Sequence, residues 1–140
     1  MNEIKQHNYF QPLPENKYNP LSWIHPEVII GNNCWIGSDV MITDNVVLGD
    51  NVSISCGVKI YDHDTSFYRA TKGRVQAKHY KVKIGSNTQI GTNSVIVPKN
   101  SNIEIGECVI VGALSLVKSS IEPNQIVGGN PLRFIKYVRD

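Results

Sequence analysis

Hydrophobic positions in this chain recur every sixth residue. Aliphatic side chains stand at Ile24, Ile30, Ile36, Ile42, Leu48, Ile54 and Ile60 in unbroken register. Four places after each comes a second, smaller residue: Val28, Cys34, Val40, Val46, Val52 and Val58, until Asp64 breaks the series. Glycine follows several of the aliphatic positions (Gly31, Gly37, Gly49), and polar pairs such as Asn32-Asn33 and Asp50-Asn51 come next. No amphipathic helix yields this pattern, because six steps of about 100° carry the stripe off any helical face within two repeats. A long strand fails as well, since glycine and Asn/Asp pairs are turn chemistry. The spacing predicts a short strand, a corner and a short strand again, three sides closing a triangular coil of about 18 residues. The aliphatic residue points inward and the small one fills the space near the corner. Gly or Asn takes any left-handed backbone geometry the turn requires. Stacked coils then pair as parallel strands around a column of Ile and Val, side chains that suit a pleated wall.

The register stops after Ile60 and resumes at Ile84-Gly85, Ile90-Gly91 and Ile96. A longer step then separates Ile96 from Ile105, before Val111 and Val117 continue the series. The segment from Pro98 to Glu104 is therefore expected to be a corner with about three extra residues, as a plain bulge or as a ligand-lining device. Three segments follow: an arm or cap over residues 1–21, a β-helix over 22–122 with a loop excursion at 61–83, and a closing segment at 123–140.

Composition narrows the class. At 140 residues and 41% hydrophobic, the chain is one domain of an all-β, globular kind. A formal net charge of +2 without a basic cluster gives no footprint for nucleic acid. Neither a membrane-spanning apolar run nor a signal-like N-terminus is present, so a cytoplasmic protein is expected. Cys34, Cys56 and Cys108 are odd in number and widely spaced, which predicts buried free thiols rather than disulfides or zinc ligands.

The repeats from Ile24 to Ile60 and from Ile84 to Lys136, with the tail Val127-Gly128-Gly129-Asn130-Pro131, resemble the hexapeptide-repeat acyltransferases. The likeness is greatest to the maltose, galactoside and polysaccharide O-acetyltransferase branch. It implies a left-handed parallel β-helix, where the general crossover rule would give right-handed turns. It also implies a homotrimer with active sites between subunits, acetyl-CoA as donor, and a sugar or glycan hydroxyl as acceptor. Capsular or lipopolysaccharide sugars are the acceptors of family habit. The closing segment from Pro131 to Val138 is expected to be a short C-terminal helix covering the last coil's open edge.

In the resembled family a histidine near the base of a projecting loop deprotonates the acceptor hydroxyl. The chemistry asks for such a residue. Attack on a thioester needs the hydroxyl proton removed, which imidazole is suited to do near neutral pH. A neighbouring carboxylate orients the ring and stabilises the imidazolium. His63, flanked by Asp62 and Asp64 where the strand pattern ends, suits both demands, and His79 at the far end of the loop is the alternative. His7 and His25 read as structural or surface residues. Thr65 stands where some relatives carry a second histidine.

By the same resemblance, Gly91, Thr92, Gly112 and Ala113 line a groove for the pantetheine arm, where small residues let the backbone approach closely. Lys118, Arg133 and Lys136 are placed to meet the phosphates, and Asn130 to touch the ligand or form a turn. Lys118-Ser119-Ser120 replaces the Thr-Lys-Asp common in relatives, which moves the lysine by one position. No metal is expected, because a zinc site of the γ-carbonic-anhydrase kind needs three histidines. Two further readings stay open: N-acetylation of an amino-sugar nucleotide, and a non-catalytic hexapeptide-repeat subunit.

Overall fold

The computed structural model describes residues 14–139, which form a parallel β-helix of three sheets. Face one stacks the strands Trp23–Ile24, Met41–Ile42, Lys59–Ile60, Val95–Ile96 and Leu116–Val117. Face two stacks Ile29–Ile30, Val46–Leu48, Val82–Ile84 and Ile103–Ile105. Face three stacks Trp35–Ile36, Ser53–Ile54, Gln89–Ile90, Ile110–Val111 and Gln125–Gly128, and ends with Arg133–Tyr137.

The six-residue column is the core. Ile42, Ile54, Ile60, Ile84, Ile90, Ile96 and Val117 are fully buried, each worth about 1.5–3 kcal/mol of transfer energy. The smaller position also points inward: Val40, Val52, Val58 and Val109 are buried, and so are Thr88, Ser94 and Ser115. These hydroxyls are satisfied between coils. Ser94 Oγ donates to the carbonyl of Gly112 at 2.9 Å and accepts from the amide of Ser115 at 3.1 Å.

Asn and Gly divide the corner between them in a way the pattern alone did not separate. At ten corners the left-handed residue is the third after a column residue: Asn33, Asp39, Asn45, Asn51, Gly57, Asn87, Asn93, Cys108, Leu114 and Asn124 all have φ between 54° and 77°. Asn and Asp tolerate that region, whereas Leu114 sits there at a steric cost. The glycine directly after the column residue serves another purpose. At Gly91 an added Cβ would lie 2.5 Å from the amide nitrogen of Ala113 in the next coil, so the close approach of two backbones excludes a side chain.

Two expectations are corrected. The closing segment is not a helix: Arg133–Tyr137 is a strand, antiparallel to Gln125–Gly128 and joined to it through the turn at Asn130-Pro131. It covers the open edge by pairing with it, the role expected of the helix. The cysteines are free, but they are not buried. Cys56 is exposed in a polar-pair position, Cys108 is half-buried at a left-handed corner, and only half-buried Cys34 occupies the small inward site. Of the proposed arm, residues 1–13 and with them His7 lie outside the described part. Further on, Tyr18 packs against the core and Asn19 Nδ2 donates to the carbonyl of Ile36 in the first coil.

Insertions are confined to one corner. Ile60 faces Ile96, 36 positions on, twice the 18 that separate Ile42 from Ile60. Ile96 faces Val117, 21 positions on, which locates the three extra residues after Pro98. Both insertions leave the helix where face one turns into face two. The strand pattern resumes at Val82, so the excursion runs from Tyr61 to Lys81 with one short helix, Ser66–Ala70. No helix among the described residues is long and apolar enough to cross a membrane.

The two stacked glycines give a differential test of backbone crowding. Gly91→Ala is expected to lower stability by about 1–3 kcal/mol. Gly112→Ala, where the nearest atom to an added Cβ is 3.5 Å away, is expected to be almost neutral. Thermal melting of both variants checks this, and equal melting temperatures would refute the role given to Gly91.

Candidate functional site

The excursion begins and ends on one buried carboxylate. Asp62, the second residue past Ile60, is 2% exposed. Its Oδ1 accepts from Thr43 Oγ1 at 3.0 Å and faces His63 Nδ1 at 2.7 Å. Its Oδ2 accepts from Asn45 Nδ2 at 3.3 Å and faces His79 Nδ1 at 2.8 Å. The Asp62 amide donates to Thr43 Oγ1, and its carbonyl accepts the amide of Tyr80 at 2.8 Å. Burial pushes the Asp62 carboxyl up, but hydrogen bonds from His63, His79 and Thr43 outweigh it, and the net effect holds it below its ordinary 3.8. An ionised carboxylate only accepts hydrogen bonds, so the ring nitrogen facing it carries the proton. In its neutral form each imidazole is thereby held as the Nδ1–H tautomer, which leaves the lone pair on Nε2. Their ring centroids lie 4.7 Å apart.

His63 and Asp62 thus come together as the sequence suggested, while Asp64 does not orient the ring. Asp64 Oδ1 accepts the amide of Ser66 at 2.8 Å and the Ser66 hydroxyl, which organises the start of the helix Ser66–Ala70. These bonds, with Lys99 and His63 nearby, hold its carboxyl below the usual value. Three partners were not read from the sequence. Thr43 stands where most repeats carry glycine, and Asn45 fills an ordinary Asn corner, so neither looked functional. His79 lies 17 residues from Asp62 and reaches it only because the excursion folds back.

Beside the dyad is an open cleft of about 350 Å³, lined by Tyr61, His63, Asp64, Thr65, Val95 and Val97. It lies on the outer surface of face one, where Val95 and Val97 supply an apolar floor. The three extra corner residues abut the excursion. Asn102 Oδ1 accepts the amide of Lys81 at 2.9 Å, while Lys99 and Asn100 border a second hollow with Phe67, Lys78 and Tyr80.

Of the residues expected to bind the donor, Gly91, Thr92, Gly112, Ala113 and Asn130 gather at the opposite edge of face one, whereas Lys118 lies at the histidine edge. Gly91 and Thr92 lie directly beneath Gly112 and Ala113 in the next coil: the Gly91 amide donates to Val111, and the Leu114 amide to Thr92. Gly128 stacks above Gly112, with Cα 3.8 Å from where a Gly112 Cβ would stand, and pairs with Arg133 across the closing hairpin. Asn130 is in the hairpin turn, joined to Pro131 by a cis peptide, and Arg133 and Lys136 are exposed on the last strand. Lys118 is exposed just past the final strand of face one. Face one therefore spans from this glycine corner to the histidine corner.

Comparison with known proteins agrees with this architecture. Residues 27–62 match the bacterial transferase hexapeptide (six repeats) family model, and residues 81–113 match the hexapeptide repeat of succinyl-transferase. A chloramphenicol acetyltransferase of Klebsiella aerogenes is 42% identical over 53 residues, 38% of this chain and 24% of that enzyme. The matched stretch is thus about a quarter of that relative's length. A galactoside acetyltransferase solved in complex with coenzyme A superposes with a TM-score of 0.75 at 26% identity, covering 88% of this chain and 62% of that one. A maltose O-acetyltransferase from Clostridium difficile 630 gives 0.70 at 30% identity, covering 82% and 61%. The likeness establishes the fold as the left-handed parallel β-helix of these acetyltransferases.

The Asp62 network has a pH signature. A carboxyl held below 3.8 contributes stability that is complete above 3.8 and lost as the pH falls through the folded-state value. In an NMR titration the Asp62 carboxyl carbon is expected to titrate below pH 3.8, with His79 and Tyr80 detaching along the same curve. A midpoint at or above that value would show that the imidazoles do not hold it ionised.

Proposed function

Because the chain belongs to the hexapeptide-repeat acyltransferase family, we propose that it transfers an acetyl group from acetyl-CoA to a hydroxyl of a sugar or glycan, with His63 as general base. The observation that carries the reading is the 2.7 Å contact between Asp62 and His63 Nδ1 at the wall of the face-one cleft. With Nδ1–H directed to the carboxylate, Nε2 is free to take the acceptor's proton as its oxygen attacks the thioester carbonyl. The imidazolium formed is stabilised by Asp62, and its proton passes to the sulfur as the carbon–sulfur bond breaks, giving the ester and free coenzyme A. His79 shares the same carboxylate but does not line this cleft, which favours His63.

Donor binding is assigned to the glycine corner. Gly91, Thr92, Gly112 and Ala113 offer backbone to the pantetheine arm there and Asn130 borders the same corner, while Arg133 and Lys136 on the closing strand and Lys118 at the far edge of face one offer charge to the phosphates. The coenzyme A complex of the galactoside acetyltransferase neighbour supports this class of donor. The acceptor hydroxyl is taken from the galactoside and maltose enzymes, and Tyr68 and Arg69, which line a neighbouring hollow with Thr65, are suited to a sugar.

The active form proposed is a homotrimer with the cleft shared between neighbours. A prism this thin leaves Trp35, Phe134, Ile135 and Tyr137 exposed, more apolar surface than a lone coil stack needs.

Two outcomes are expected. His63→Ala lowers turnover by about 10²- to 10⁴-fold while calorimetry shows acetyl-CoA affinity retained. Unchanged turnover would remove His63 from the mechanism, and failure of the unaltered protein to bind acetyl-CoA would overturn the whole reading. Light scattering should return three times the 15.6 kDa of one chain. The mass of one chain would refute the assembly.

A further inference from the structure

The group around Asp62 holds more donors than a single acid–base step uses. One buried carboxylate faces two imidazole Nδ1 atoms, at 2.7 and 2.8 Å. The ligating atoms of Asp62, His63 and His79 all lie within 4.8 Å of one another. We propose that Asp62, His63 and His79 form a binding site for one divalent transition-metal ion of the zinc class, and that the bound ion switches the base off.

The donor set selects the ion. Two imidazoles with one carboxylate suit zinc, cobalt, nickel or copper, whereas magnesium and calcium favour sets made of oxygens. Three protein ligands leave a fourth tetrahedral position to water. Ligands at about 2.0–2.2 Å in a tetrahedral site stand roughly 3.3–3.6 Å apart, so the 2.7 and 2.8 Å contacts open as an ion enters. The surroundings allow that movement. The His79 side chain is 59% exposed and sits on the returning limb of the excursion, and the His63 side chain is 23% exposed, whereas Asp62 is fixed from behind by Thr43 and Asn45. Those two hydrogen bonds are the outer support that holds a ligating carboxylate in one orientation.

Switching follows from the same atoms. In the metal-free site each ring carries its proton on Nδ1 and keeps a lone pair on Nε2. Coordination takes the Nδ1 lone pair, the Nδ1 proton leaves, and Nε2 takes one up from solvent. The proton count is unchanged, yet His63 now presents Nε2–H to the cleft and has no lone pair for an acceptor hydroxyl. The metal site stands whether or not the chain is an acetyltransferase, and only the inhibition rests on that proposal.

The test is calorimetric titration of the full chain with zinc chloride, without acetyl-CoA. Micromolar binding of one ion per chain is expected, weakened about 100-fold or more in His79→Ala and in Asp62→Asn. His79→Asn, with melting measured beside it, separates loss of a ligand from loss of the fold. A second grouping, half-buried His25 and Asp44 with exposed Glu27, could also take an ion. His25→Ala is therefore expected to leave the micromolar event intact. Cobalt in place of zinc should give the visible bands of a tetrahedral site in the parent chain and not in His79→Ala. Millimolar or absent binding, binding unaffected by His79→Ala, or binding lost in His25→Ala would each overturn the proposal. If zinc binds as expected but acetyl-CoA does not, the metal site stands and the transferase reading falls.

Discussion

Parallel pairing between coils sets the terms for everything else. It holds adjacent strands about 4.8 Å apart, and a closed coil keeps that spacing on three sides only if each turn has the same perimeter. Eighteen residues meet the condition, as the pairing of Ile24 with Ile42 and of Ile42 with Ile60 shows. Extra residues cannot be absorbed within a side, because a shift of one position would turn the inward column outward. They must leave at a corner. This chain releases both of its insertions at the corner between faces one and two, in successive coils, so that they contact one another through Lys81 and Asn102.

The candidate site lies at that release point for a physical reason. Asp62 is where the chain leaves the ladder, and its side chain turns back into the gap beside Thr43 and Asn45 of the coil beneath. A carboxylate in that position is held by donors on the rigid prism and offers its remaining capacity to the excursion. His63 takes it on the way out and His79 on the way back. The same contacts that anchor the loop fix both imidazole rings, so loop docking and ring orientation depend on a single charge.

The site was legible to the extent that it was local. His63 beside Asp62 could be read because they are neighbours in the chain and stand where the periodicity fails. Asp64 was misplaced because two flanking carboxylates look equivalent in sequence, while a helix start at Ser66 claims one of them. Thr43, Asn45 and His79 were not read as partners of Asp62 because their meeting is a matter of coil stacking and loop return. The closing strand Arg133–Tyr137 was taken for a helix since its edge-covering role admits either element, and only the hairpin register chooses between them.

The sequence by itself determined the prism: its inward column, its corners, the place of both insertions and the class of protein. Periodicity encodes these directly, since each repeat meets the same neighbours at the same spacing. Tertiary structure alone decided which glycines are crowded, which hydroxyls bridge coils, and that one aspartate serves two histidines. Those facts depend on atoms brought together from different turns, and the distance between turns is set by hydrogen bonding across the ladder rather than by any residue's position in the chain.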